Sequence, residues 1–251
     1  MNHSPMTDAE LARSIAEEAG GLLVGLLAGG GHDGRALGDA GDAQANAMIL
    51  ARLRAERPGD AILSEEERDG EARLSASRVW IIDPLDGTRE YREGRDDWAV
   101  HVGLAVDGVA TDGAVALPPL GLTLATDRPP LLAAANVPPR MVVSRTRPPQ
   151  VAVRVADAIG AELVGMGSSG AKAMAVVRGA ADIYLHAGGQ FQWDNCAPVA
   201  VARAAGLHVS RADGSALVYN LADTWLPDLL ICRVEWAERV LGLVGDAPLA
   251  A

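Results

Sequence analysis

At the start of the chain, apolar residues fall at helical intervals. Thr7-Asp8-Ala9-Glu10 has capping-box spacing, and Leu11, Ile15, Ala19, Leu22, Leu23 and Leu26 follow on one face, which predicts a first helix stopped by Gly29-Gly30-Gly31. A second helix is predicted to begin after Gly41, bury Ala45, Ile49, Leu50 and Leu53, and end at Arg57-Pro58-Gly59, with Asp42 near its start. The period then shortens. Ala61-Ile62-Leu63 reads as a strand running into Glu65-Glu66-Glu67, and Val79 to Ile82 as a fully apolar strand running into Asp83. Trp98 to Val106 alternates, turns at Asp107-Gly108 and returns through Ala114 to Leu117, the pattern of a hairpin or meander.

The proline-rich stretch from Pro118 to Pro139 reads as a sheet edge passing into a connection. It divides the chain into an N-terminal α+β half, residues 1–138, and a C-terminal α/β half, residues 139–251. In the second half strands at Met141–Val143, Leu163–Met166 and Ala181–Leu185 alternate with helices at Pro149–Ala158, Gly170–Val177 and Asn195–Ala205. That alternation predicts a sheet flanked by helices, and the whole chain belongs to the α/β class. It contains no internal repeat and no low-complexity tract.

Composition narrows the partners. Of 251 residues, 49% are hydrophobic and 22% charged, which is a folding composition, and the net charge of -11 repels nucleic acid and anionic membranes. A small anionic substrate then needs local help from metals, arginines or helix ends. The N-terminus lacks the basic start and apolar core of a signal peptide, no apolar run reaches the ~18 residues of a membrane span, and two cysteines are too few for a disulfide framework. The expectation is a reducing, cytoplasmic setting. Lys172 is the sole lysine.

Glu65 and Asp83 stand where strands finish, and Asp86 and Asp194 follow a strand or precede a helix. Carboxylates there are rigidly held and face the sheet edge where α/β proteins bind ligands. If they converge, their repulsion calls for cations, and hard oxygen donors with no histidine or thiolate expected nearby favour magnesium over zinc. Singly, each has a plainer reading: Asp83-Pro84-Leu85-Asp86-Gly87 is turn chemistry, Glu65 to Glu67 a solvated run, Asp194, Ser168 and Ser169 helix caps, and Trp193 a core residue.

Taken together, Leu63-Ser64-Glu65-Glu66, Trp80-Ile81-Ile82-Asp83-Pro84-Leu85-Asp86-Gly87-Thr88 and Trp193-Asp194-Asn195-Cys196-Ala197 resemble, in order and spacing, the three motifs of the inositol monophosphatase superfamily. The resemblance implies the αβαβα sandwich shared with fructose-1,6-bisphosphatase and lithium-sensitive hydrolysis of phosphate monoesters with two or three magnesium ions. It implies ligation of a first ion by Glu65, Asp83 and the Leu85 carbonyl and of a second by Asp83, Asp86 and Asp194. Gly87 would let the backbone approach the phosphate, and Thr88 and Asp42 would orient and deprotonate the attacking water. Around Asp42 the sequence Gly38-Asp39-Ala40-Gly41-Asp42 departs from the family's Thr-x-Ala-Asp. A homodimer is also implied.

Three stretches are similar to the 3'(2'),5'-bisphosphate nucleotidase, or CysQ-like, branch: Thr88-Arg89-Glu90-Tyr91, Val142 to Arg147, and Gly167 to Lys172; the runs Gly94 to Val106 and Gly188 to Asp194 resemble its members of actinobacterial type most. The branch implies removal of the 3'-phosphate of adenosine 3',5'-bisphosphate and of 3'-phosphoadenylyl sulfate, compounds of sulfate assimilation. Ser144, Arg145, Arg147, Ser168 and Lys172 are the candidate contacts for the remaining phosphate or nucleotide. Inositol phosphatases proper carry a glutamate seven residues before the second-half aspartate, where this chain has Ala187. The alternatives are a broad-specificity inositol or fructose bisphosphate phosphatase and a non-catalytic nucleotide-binding sensor.

Overall fold

The structure is a computed structural model and describes residues 6–245. Helices α1 (Asp8–Gly29) and α2 (Gly34–Glu56) precede a first sheet of β1 (Ala61–Ser64), β2 (Arg78–Asp86), β3 (Ala99–Val106), β4 (Val109–Leu117) and β5 (Leu122–Ala125), in that spatial order. Only the β1–β2 pair is parallel. A short helix, α3 (Thr88–Arg92), follows β2. The second sheet comprises β6 (Arg140–Ser144), β7 (Glu162–Met166), β8 (Ile183–Phe191), β9 (His208–Ser210) and β10 (Trp225–Cys232), with helices α4 (Gln150–Ile159), α5 (Ser169–Val177), α6 (Gln192–Ala204) and α7 (Val234–Gly245). Its order is β7-β6-β8-β10-β9, and β10 runs antiparallel to both its neighbours, so the sheet is mixed.

Alternation along β2 explains the layering. Trp80, Ile82 and Leu85 point to a core shared with α1 and α2, while Val79 and Ile81 point to a second core shared with α5 and α6. Both faces are covered, which is why this strand reads as an unbroken apolar run. Met141, Val143, Ile183 and Leu185 of the second sheet pack with α4 and α7 in a third core. The layers are therefore helices, sheet, helices, sheet, helices: the αβαβα sandwich. No helix among the described residues is long and apolar enough to cross a membrane.

Several element boundaries differ from the sequence expectation, for physical reasons. Helix α1 keeps its expected bounds, with the Thr7–Glu10 capping box formed and Gly30 left-handed at its end. Helix α2, however, starts at Gly34 rather than after Gly41, so Asp42 sits mid-helix. Gly38 and Gly41 are there for close approach: a Cβ on Gly38 would lie 2.8 Å from Thr88 Cγ2, and one on Gly41 3.1 Å from Leu23 and Leu85 side-chain carbons. Strand β2 does not stop at Ile82 either; it runs to Asp86 through a register shift between Asp83 and Asp86. Helix α6 begins at Gln192, which puts Asp194 inside its first turn rather than at its cap. Ser168 is the α5 cap, accepting from Ala171 N at 2.9 Å, whereas Ser169 lies within the helix. Trp193 is half-buried rather than a core residue.

Helix α6 crosses the first sheet over two glycines. A Cβ on Gly103 would stand 2.8 Å from Ala197 N, and one on Gly113 3.2 Å from Ala197 Cα. Gly103→Ala therefore forces backbone against backbone and is expected to cost about 1–3 kcal/mol in urea unfolding. An unchanged midpoint would mean that α6 sits further from the sheet than described.

Candidate metal centre

The shift in β2 brings two acids to one place. Asp83 and Asp86 are both buried, and Asp83 Oδ1 accepts from Leu85 N at 3.1 Å, closing the small loop across Pro84. Asp194 arrives from the first turn of α6, where its Oδ2 accepts from Phe191 N at 2.6 Å. One oxygen from each of Asp83, Asp86 and Asp194 falls within 4.8 Å of the others. Glu65 follows β1, the parallel neighbour of β2, and its amide donates to Ile82 O at 3.2 Å.

The electrostatics divide these acids. Burial, then the charges of Glu65, Asp86 and Asp194, push Asp83 well above the usual carboxylate range. Glu65 is raised to about 7 by burial and the Asp194 charge, although its contact with Asp83 works in the opposite sense. Asp194 is raised to about 6 by burial and Asp86. Asp86 alone is lowered: burial opposes its charge, but His101, the Gly170 amide and Lys172 together prevail. Such a set of hard oxygen donors, three of four reluctant to charge, fits a divalent cation that would relieve the repulsion.

His101 was not expected as part of the site. Its sequence signal is slight, a histidine inside an otherwise apolar strand. The ring is fully buried on β3, with Nδ1 3.0 Å from the Trp193 carbonyl and Nε2 3.1 Å from Asp86 Oδ2, close but not aimed for a well-formed hydrogen bond. Burial disfavours its charge, yet the Asp86 carboxylate raises its pKa overall. The ring thus ties Asp86 to the backbone beside Asp194. Ser169 N, at 3.1 Å, and Gly170 N also donate to Asp86, and a Cβ on Gly170 would lie 2.0 Å from His101 Nε2. Asp97, likewise unexpected, anchors this segment: its carboxylate accepts from Gly167 N at 2.7 Å and is gripped by Arg95 at 2.7 and 2.8 Å.

Thr88 opens α3 directly after Gly87, whose φ of 92° only glycine adopts readily. Its hydroxyl donates to Leu85 O at 3.2 Å. Asp42 lies one helical turn beyond Gly38, on the face of α2 that meets Thr88, and is raised to about 7 by burial and by Glu66 and Asp39. The glycines that hid the start of α2 are thus what brings Asp42 to Thr88.

The candidate substrate contacts lie around the α5 entrance, and most already have protein partners. Buried Lys172 donates to the carbonyls of Gly167 and, at 2.8 Å, Ser168, and burial lowers its pKa. Arg145 pairs with Glu90 at 2.8 Å and Glu93 at 2.7 Å. Ser144 Oγ accepts from Arg147 N at 3.3 Å, and the Arg147 side chain is exposed. Ala187 is half-buried on β8, upstream of Asp194.

Comparisons with known proteins bear on the family and the fold. The family model described as "Inositol monophosphatase family" matches residues 28–129 and 131–244. A 3'-phosphoadenosine 5'-phosphate phosphatase of Mycobacterium leprae is 51% identical over 96% of this chain and 94% of its own length. One from Mycobacterium bovis is 54% identical over 92% and 90%. The 3'(2'),5'-bisphosphate nucleotidase CysQ of Escherichia coli K12 is 29% identical over 74% and 81%. Among solved structures, CysQ from Bacteroides thetaiotaomicron superposes with a TM-score of 0.77 at 25% identity, covering 90% of this chain and 97% of that one.

Proposed function

Because the chain belongs to the inositol monophosphatase family, we propose that it is a magnesium-dependent phosphatase that removes the 3'-phosphate of adenosine 3',5'-bisphosphate and, in sulfate assimilation, of 3'-phosphoadenylyl sulfate. The observation that carries this reading is the convergence of Asp83, Asp86 and Asp194, from distant parts of the chain, on one point. The names of the mycobacterial relatives supply the substrate.

In this reading Glu65, Asp83 and the Leu85 carbonyl would hold one magnesium ion and Asp83, Asp86 and Asp194 a second, of two or three in all. When bound, the ions supply a nucleophilic water at neutral pH and positive charge against the phosphoryl oxygens. The chain does the rest. Thr88 Oγ1 orients the water, and Asp42, with a pKa of about 7, is charged often enough at neutral pH to take its proton. Water adds to phosphorus, the ester bond to the 3'-oxygen breaks, and a proton passes to that leaving oxygen. Gly87, lacking a side chain, and the first amides of α3 let the backbone receive a phosphate oxygen. His101 and the Ser169 and Gly170 amides keep Asp86 charged and still. Arg145, Arg147, Ser144, Ser168 and Lys172 serve the second phosphate, Arg145 by exchanging its glutamate partners. The half 1–138 brings most of the metal ligands and the half 139–251 brings Asp194 and these contacts. A cytoplasmic homodimer completes the proposal, and the two free, buried thiols of Cys196 and Cys232 suit a reducing compartment.

Phosphate release from adenosine 3',5'-bisphosphate, inositol 1-phosphate and fructose 1,6-bisphosphate tests the reading. The nucleotide is expected to have the highest kcat/KM, since no carboxylate stands at Ala187 to receive an inositol hydroxyl. Comparable rates on all three would indicate a broad phosphatase, and no release from any, with the nucleotide still bound, a sensor. Lithium should inhibit at concentrations where sodium does not; equal effects of the two would remove a cation-selective site.

A further inference from the structure

The chain is poor in aromatic residues, with five tryptophans, three tyrosines and one phenylalanine. Most are buried in the cores. Only Phe191, 44% exposed, and Trp225, 46% exposed, present their rings openly to solvent. These two are direct partners across the antiparallel β8–β10 pair, so their side chains emerge on the same face of the sheet end. Phe191 also stacks on half-buried Trp193, with ring centroids 4.8 Å apart and planes 12° from parallel.

The backbone under these rings is built for them. Gly188 and Gly189 have φ of 113° and 94°. A Cβ on Gly189 would stand 2.3 Å from Trp225 Nε1, so the indole lies over bare backbone, while nothing lies within 4 Å of a Cβ on Gly188. Gln192, fully buried, locks the neighbouring loop to the start of α6: its N donates to Thr224 O at 2.9 Å, its Nε2 to Asp223 O at 3.2 Å, and its side-chain oxygen accepts from Asn220 N at 2.7 Å. The backbone that carries Phe191 and Trp193 is therefore held in place, and it adjoins the acid cluster, since Phe191 N bonds Asp194 and Trp193 O contacts His101. Exposed, stacked rings beside a phosphate site suit a flat π-system attached to that phosphate.

We propose that Phe191, Trp193 and Trp225 form a platform on which the purine base of the nucleotide stacks, an inference that rests on the nucleotide reading above. Stacking is uniform binding remote from the breaking bond, so it acts on KM rather than kcat. Base-free phosphates do not reach it. The platform, not the metal centre, then sets the preference for a nucleotide over a sugar or inositol phosphate.

The test is the ratio of kcat/KM for adenosine 3',5'-bisphosphate to that for fructose 1,6-bisphosphate in the wild type, Phe191→Ala, Trp225→Ala and Phe191→Tyr. Each alanine variant should lower this ratio by about 5- to 150-fold, through the nucleotide KM, and Phe191→Tyr should restore it. A ratio unchanged in both alanine variants overturns the platform, whether both substrates fall together or neither falls. Failure of the functional reading shows separately, as a wild type without turnover of the nucleotide. Calorimetric binding of adenosine 3',5'-bisphosphate to the wild type and Phe191→Ala then decides the platform: about 10-fold weaker binding supports it, and equal or absent binding overturns it.

Discussion

Asp83→Asn is expected to lower kcat by on the order of 10³-fold or more while leaving the fold intact. Asp83 is the buried acid on which the charges of Glu65, Asp86 and Asp194 all bear. The substitution keeps volume and shape, and the amide oxygen can still accept the Leu85 N–H bond. What disappears is one negative charge between cations that would otherwise share it. In metal-free protein that charge is unfavourable, so the variant's Tm should equal or exceed the wild type's, and its response to magnesium should vanish. Turnover within a few-fold of wild type would remove the acid cluster from the chemistry. Lost turnover with a sharply lowered Tm would make Asp83 a structural residue instead.

Magnesium should raise the Tm of metal-free wild-type protein by about 5–10 °C at pH 8 and hardly at all at pH 5. The sign follows from the acids. Asp194 is raised to about 6 and Glu65 to about 7, against roughly 4 for either in an unfolded chain. Between pH 4 and 7 the folded state therefore binds more protons than the unfolded one, and stability falls as pH rises through that window. Above it the penalty is complete. A cation needs the charged carboxylates and offsets their repulsion, so its effect grows as they deprotonate. At about 100 times the dissociation constant the gain is about 2.7 kcal/mol, and each kcal/mol shifts a domain of this size by about 2–4 °C. Differential scanning fluorimetry across pH 5–8 measures it; a shift of one size at every pH would place the cation elsewhere.

How much was legible depended on whether a signal was local. The capping box at Thr7, the apolar period of α1 and the unbroken run of β2 are properties of contiguous residues, and they report elements directly. The glycines of α2 misled because glycine looks alike whether it breaks a helix or admits a neighbour. Thr88, Arg92, Leu85 and Tyr91, pressing on α2 from much later in the chain, tell the two apart. The extension of β2 to Asp86 was hidden for a related reason, since a bulge at Asp-Pro-Leu-Asp has the same composition as a turn. His101 was visible only as an unexplained polar residue in an apolar strand, and the exposure of Phe191 and Trp225 could not be read from composition, which places aromatics inside by default.

By itself, the sequence determined the class of fold and the family resemblance and singled out the candidate acids, because periodicity and motif chemistry are written within short segments. Tertiary structure alone decided which of those acids meet. Asp194 reaches Asp83 and Asp86 because α6 lies close on Gly103 and Gly113, and Asp86 keeps its charge because β3 and α5 bring His101 and two amides to it. Such convergence depends on how layers pack across more than a hundred residues of chain, and no local pattern carries that distance.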